Sequence, residues 1–116
     1  MERLALIVED DAALRKIYRR ILLELNYTVL EATNGAEAIA LLEAQQPDIV
    51  FLDMLLPQVN GETVLEYLAN SPQKADIPVV IISSNRRFEQ YTDLLPSATF
   101  LLKPVRPAAI RALATR

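Results

Sequence analysis

The sequence contains no cysteine, no histidine and only two glycines. The first two absences remove thiol chemistry, zinc centres of the Cys/His type, Ser–His–Asp triads and any phosphohistidine carried by this chain. With so little glycine there is no Gly/Ser linker, and neither an internal repeat nor a low-complexity tract is present. No basic run occurs: 12 Lys plus Arg against 15 Asp plus Glu leave a formal net charge of −3. Such a chain is a poor polyanion binder, which argues against direct nucleic-acid contact. The fully apolar runs reach about five residues, far short of the ~20 that span a bilayer. Met1-Glu2-Arg3-Leu4 has no secretory pattern, so a cytoplasmic protein with no membrane association is expected. What is present is apolar side chain, 52% of 116 residues. That is enough for one domain over residues 1–116, able to bury about two-thirds of its unfolded surface.

Apolar runs and amphipathic stretches alternate along the chain. Leu4 to Val8, Thr28 to Leu30, Ile49 to Leu52, Val79 to Ile82 and Phe100 to Leu102 read as strands. Between them, Leu14, Ile17, Ile21, Leu22 and Leu25 recur at helical spacing behind Asp11, a natural N-cap. Asn34 with Glu37 three residues on opens a second helix through Ile39, Leu41 and Leu42, which Pro47 stops. A third helix carries Val64, Leu65 and Leu68, a short fourth runs from Arg86 to Leu95 and ends at Pro96, and a fifth spans Ala108 to Ala114. The order is (βα)5. Strands separated by helices demand right-handed crossovers, hence an α/β fold with a parallel sheet covered on both faces.

Ligands of open parallel sheets bind outside the carboxyl ends of the strands, where the winding reverses. The residues at those ends are Glu9, Asp10 and Asp11 after the first strand, Asp53 after the third, Ser83 after the fourth and Lys103 after the fifth. A flavodoxin-like strand order, 2-1-3-4-5, would bring Glu9, Asp10 and Asp53 together, with Ser83 and Lys103 alongside. Two carboxylates about 4 Å apart repel by about 4 kcal/mol at an effective dielectric near 20. Either a pKa rises or a cation is bound, and oxygen-only ligands favour Mg²⁺ or Mn²⁺. The acids also replace the glycines that a dinucleotide site needs in its first turn.

These residues resemble a known family. Leu6-Ile7-Val8-Glu9-Asp10-Asp11, Phe51 to Pro57 with Gly61, Ile81-Ile82-Ser83-Ser84 and Leu101-Leu102-Lys103-Pro104 are similar, in order and spacing, to the receiver domain of two-component response regulators. The resemblance implies that Asp53 accepts a phosphoryl group from a partner phosphohistidine, on a histidine kinase or a histidine phosphotransfer protein. It implies that Asp10, Asp53 and the Leu55 carbonyl hold Mg²⁺, with Glu9 acting through water. Lys103 and Ser83 would meet phosphoryl oxygens, Phe100 would be the switch aromatic, and Ser84, Pro57, Gly61 and Pro104 would support the site. The Lys103–Pro104 peptide is expected to be cis. The face formed by the fourth helix, fifth strand and fifth helix would then carry the signal to an output partner or effector domain. Such a protein accepts a phosphoryl group and assists its loss, but is not a turnover enzyme.

Each residue also has a plainer reading. Asp10 or Asp11 alone is a helix cap, Asp53 a turn residue, Ser83, Ser84 or Asn85 a cap for the next helix, and Phe100 a core residue. Glu9 replaces the commoner Asp, Ser83 the commoner Thr, and Leu55 cannot orient an attacking water. No acidic pair precedes Phe100, so a salt-bridged dimer face is not expected. A pseudo-receiver that binds partners without phosphorylation is the alternative, kept open by the short segment from Arg86 to Thr99. An aspartyl-nucleophile phosphatase ranks last, because Leu55 stands where that class has a second acid. With nothing after Arg116, either a stand-alone regulator or a receiver from a longer protein is expected.

Overall fold

The computed structural model describes residues 3–56 and 59–115. Five strands form one parallel sheet: β1 (Arg3–Val8), β2 (Tyr27–Ala32), β3 (Ile49–Asp53), β4 (Val79–Ser83) and β5 (Ala98–Leu102). Their spatial order is β2-β1-β3-β4-β5, as the strand-end argument requires. The helices are α1 (Ala12–Glu24), α2 (Gly35–Ala44), α3 (Gly61–Ala69), α4 (Tyr91–Leu94) and α5 (Pro107–Ala114). None among the described residues is long and apolar enough to cross a membrane.

The continuous apolar runs are explained by burial on two sides. Leu6, Val8, Val50, Leu52, Val79 and Ile81 meet Ala38, Leu42, Leu65, Leu68, Phe88 and Leu95 in one layer. Their neighbours Ala5, Ile7, Ile49, Phe51, Val80 and Ile82 meet Tyr18, Ile21, Leu22, Ile110 and Ala114 in the other. Strand periodicity sends alternate residues to opposite faces, so every position of β3 and β4, and β1 from Ala5 to Val8, is a core position.

Local signals act largely as the sequence suggests. The Asp11 carboxylate accepts from the Ala13 and Leu14 N–H groups and caps α1. Asn34 caps α2 through the Glu37 N–H, while Glu37 reaches back to the Thr33 N–H and hydroxyl rather than to Asn34. Two expectations shift. Ile17 is 48% exposed and Tyr18 lies in the core instead, because the inward stripe of α1 runs through Leu14, Tyr18, Ile21, Leu22 and Leu25. The fourth helix begins as a 3-10 turn over Arg86–Gln90, and only Tyr91–Leu94 is α-helical. Asn85 caps that turn at the Arg87 N–H, and Leu95 is already extended before Pro96, as a residue preceding proline prefers. The Tyr91 hydroxyl donates to Glu62, fastening this short element to the start of α3.

Burial separates two outwardly similar substitutions. Leu65→Ala, at a fully buried position of α3, should cost about 2–5 kcal/mol. Ile17→Ala should change stability by about 0.5 kcal/mol or less. Urea unfolding of both variants measures the contrast, and equal losses would contradict this packing.

Candidate functional site

The sheet delivers each candidate residue by extending its ladder past the strand ends. The Glu9 N–H donates to the Ala32 carbonyl (3.0 Å), Met54 N–H to Ile82 (3.1 Å) and Lys103 N–H to Ser83 (2.8 Å). Three carboxyl groups converge there: Glu9, Asp10 and Asp53 each offer an oxygen, all within 4.8 Å of one another. Glu9 and Asp53 are buried and Asp10 is exposed. The Lys103 ammonium lies 3.4 Å from Asp53 Oδ2 and 3.6 Å from Glu9 Oε1. One cation thus faces two buried acids, and the second distance is too long for a hydrogen bond.

Glu9 carries most of the strain. Its Oε2 accepts from the Asp11 N–H at 3.2 Å. Its Oε1 is buried with no hydrogen-bond partner among the described residues, a state that costs about 1–3 kcal/mol. Burial, then the adjacent Asp53 (which can accept a hydrogen bond from Glu9 only when Glu9 is protonated, and whose charge repels the ionised form), push its carboxyl up to about 8, although the Asp11 N–H and Lys103 pull the other way. An unpartnered buried oxygen beside two further carboxylates, in a chain without histidine or cysteine, fits a hard divalent cation. The donor set of Glu9, Asp10 and Asp53 is therefore suited to one.

The remaining candidates frame this cluster. Asp53 Oδ1 accepts from the Leu55 N–H at 3.3 Å, and the Leu55 side chain is 58% exposed at the mouth of the site. The buried Ser83 hydroxyl accepts from the Asn85 N–H at 3.0 Å, which leaves its own proton free to donate. Ser84 is exposed, and with Leu14, Tyr18, Lys103, Pro104 and Val105 it lines a groove of about 420 Å³ beside the lysine. The Lys103–Pro104 peptide is cis, as expected. Gly61 begins α3 where a Cβ would stand 2.8 Å from Met54 Cα and 3.1 Å from the Asp53 carbonyl. Phe100 is half-buried on the edge strand β5, against the layer of α2 and α3. Pro57 lies outside the described residues.

Two contributors were not evident from sequence. Arg15 donates to the Glu9 carbonyl at 3.0 Å while its Nε pairs with Glu31 at 3.1 Å, which fixes the acidic turn from the first turn of α1. Tyr18 sits close enough to feel the cluster: burial, then the charges of Glu9, Asp53 and Asp11, raise its hydroxyl to about 12. A basic residue four positions after a cap, and a tyrosine inside an aliphatic stripe, are the only traces these roles leave in the sequence.

The raised Glu9 pKa has a definite linkage sign. Between its ordinary 4.5 and about 8, the unfolded chain releases a proton that the folded chain retains, so stability falls as pH rises through that window. Metal-free protein should therefore unfold at lower urea at pH 8 than at pH 5, with a flatter profile for Glu9→Gln. Identical profiles for the two proteins would contradict the assignment.

Comparison with known proteins agrees with this arrangement. The family model for the response regulator receiver domain matches residues 5–115. A probable transcriptional regulator, ycf27, of Guillardia theta is 32% identical over 109 residues, which cover 92% of this chain and 42% of that protein. The chain spans less than half the length of the first curated relatives it matches. Among solved structures, the chemotaxis response regulator CheY4 of Vibrio cholerae shares the fold, with a TM-score of 0.89 at 20% identity over 100% of this chain and 98% of that one. The phosphorylated cyanobacterial phytochrome response regulator RcpA superposes with a TM-score of 0.83 at 25% identity, covering 98% of this chain and 89% of that one. With the acids and the lysine at the ends of the strands and a family match over nearly its whole length, this chain belongs to the response regulator receiver domain family.

Proposed function

We propose that this receiver domain, taken as residues 1–116, is a phosphorylation switch with Asp53 as phosphoacceptor. The observation that carries this reading is the Lys103 ammonium 3.4 Å from a buried Asp53 carboxylate, beside a Glu9 oxygen without a partner. The donor is a phosphohistidine on a histidine kinase or histidine phosphotransfer protein. An Asp53 carboxylate oxygen forms the new P–O bond as the P–N bond to the donor imidazole breaks. Phosphoryl transfer needs positioning and charge neutralisation more than covalent assistance. Asp10, Asp53 and the Leu55 carbonyl, with Glu9 through water, would hold Mg²⁺ or Mn²⁺, which when bound neutralises phosphoryl charge.

The chain's own groups do the rest. Lys103 moves from pairing with Asp53 to pairing with a phosphoryl oxygen, so the positive charge is already in place. The Ser83 hydroxyl, whose proton is free, donates to a second oxygen and draws the start of the 3-10 turn with it. Phe100, half-buried on an edge strand, has room to repack, and the face of α4, β5 and α5 presents the change to an output partner or effector domain. The domain accepts and loses a phosphoryl group without turning over a substrate, acts in the cytoplasm, and contacts neither nucleic acid nor membrane itself. The split fourth helix favours a second reading, a pseudo-receiver that engages partners without phosphorylation.

Acetyl phosphate distinguishes the two. In Mg²⁺ the native protein should take up one phosphoryl group and Asp53→Asn none, as followed by intact mass. Absence of uptake by the native protein would favour the pseudo-receiver. The lifetime of the product gives a further measurement. Leu55 offers no donor or acceptor to an attacking water, whereas Leu55→Asn does. Dephosphorylation should be about tenfold faster in Leu55→Asn, the effect of one hydrogen bond of roughly 1–1.5 kcal/mol. Equal decay would place control of water access elsewhere.

A further inference from the structure

Both glycines of this chain lie against the connection between β3 and α3, Gly61 against Met54 and the Asp53 carbonyl and Gly35 against Val59. Gly61 closes that connection from its own end. Gly35 belongs to a different helix, and nothing in its local backbone demands glycine, since no glycine here has a positive φ. Its N–H, at the first position of α2, donates to the Val59 carbonyl at 3.0 Å. This occupies a helix-terminal donor that would otherwise lack an intrahelical partner. A Cβ at residue 35 would stand 2.1 Å from the Val59 carbonyl oxygen, 2.7 Å from its carbon and 2.9 Å from Val59 Cγ1. Two of those atoms are backbone, so the conflict cannot be relieved by turning a side chain.

We infer that Gly35 is a positioning residue for the phosphoryl site: its bare Cα lets the start of α2 hold Val59, and with it the Asn60–Gly61 start of α3 that packs on Met54 and the Asp53 carbonyl, in register. This rests on the phosphoacceptor reading of Asp53. The chain of contact is short. Val59 precedes Asn60, whose side chain caps α3 at the Thr63 N–H, and the adjoining Gly61 sits so close to the acid's own backbone that a Cβ there would stand 2.8 Å from Met54 Cα and 3.1 Å from the Asp53 carbonyl oxygen. A methyl group at residue 35 forces Val59 outward by about 1 Å, a displacement large enough to slow a positioned reaction by up to about a hundredfold. Gly35 itself touches no reacting atom.

Gly35→Ala is the test, compared with Ile110→Val, which perturbs the opposite layer of the core. Three quantities are measured below the unfolding transition: the amide shifts of Leu55 and Val59 without metal, Mn²⁺ affinity by electron paramagnetic resonance of the free ion, and the rate of acetyl phosphate labelling. Gly35→Ala should shift both amides, weaken Mn²⁺ binding roughly fivefold or more, and slow labelling roughly tenfold to a hundredfold. Ile110→Val should lower the unfolding midpoint and leave all three unchanged. Should Gly35→Ala fold poorly, Gly35→Ala/Val59→Gly carries the same comparison, because a glycine at 59 lets the carbonyl turn from the methyl while the loop stays unheld. Native Mn²⁺ affinity and labelling in a folded Gly35→Ala or in the double variant would overturn the inference. Failure of the native protein to bind Mn²⁺ or to label would instead defeat the reading of Asp53, and the Leu55 amide shift would still report whether Gly35 holds the loop.

Discussion

Acidic groups held together out of water are the constraint on which the rest of this molecule depends. Glu9 and Asp53 are buried side by side, Asp10 is adjacent, and a single ammonium stands among them. Left to themselves these groups would separate, since burial raises the cost of each charge and proximity raises it again. The fold prevents separation by placing Glu9 just beyond β1 and Asp53 at the end of β3, each behind fully enclosed residues. Val8 and Leu52, which precede Glu9 and Asp53, are fully buried and paired to each other in the sheet. Arg15 then anchors the Glu9 carbonyl from α1. The cost of the cluster is thus borne at the strand ends, beside core layers packed on both faces of the sheet.

Stiffness is distributed unevenly around that store of charge. On the side of β1 and β3, strands are enclosed on both faces and the loops are gripped by helix starts. On the other side, β5 is an edge strand whose residues are only partly buried, and the neighbouring helix is a 3-10 turn followed by four α-helical residues. That short element keeps its place through Phe88 in the core and the Tyr91 hydroxyl bond to Glu62. Regions with few buried contacts open at lower free energy than core strands. The side of α4 and β5 is therefore the softer margin of the acidic cluster.

How much of this is legible in the sequence follows from the range of each interaction. Runs such as Ile49 to Leu52 announce doubly covered strands, and the order of strands and helices then fixes where Glu9, Asp10, Asp53, Ser83 and Lys103 meet. Caps such as Asp11 and Asn34 act over three residues and are equally readable. Ile17 and Tyr18 show the first limit: both suit an amphipathic stripe, and which one turns inward depends on the packing of α1 over the sheet. The proton on Glu9 shows a second, because it depends on distances to Asp53 and Lys103 that residue types do not encode. Gly35 shows a third, since its neighbour is a backbone carbonyl in a distant loop.

Lys103 has two attachments whose combination matters for the edge of the sheet. Its backbone N–H adds one more rung to the ladder between β5 and β4, and its side chain reaches across to Asp53. An edge strand has a neighbour on one side only, so its terminal rungs are where fraying starts. Here the last rung and the electrostatic contact belong to one residue, so peeling the end of β5 from β4 also withdraws the counter-charge from a buried carboxylate. The charge state of the cluster is therefore a clasp on the sheet margin. Amide exchange at the end of β5 reports on the same free energy that holds the acids in place.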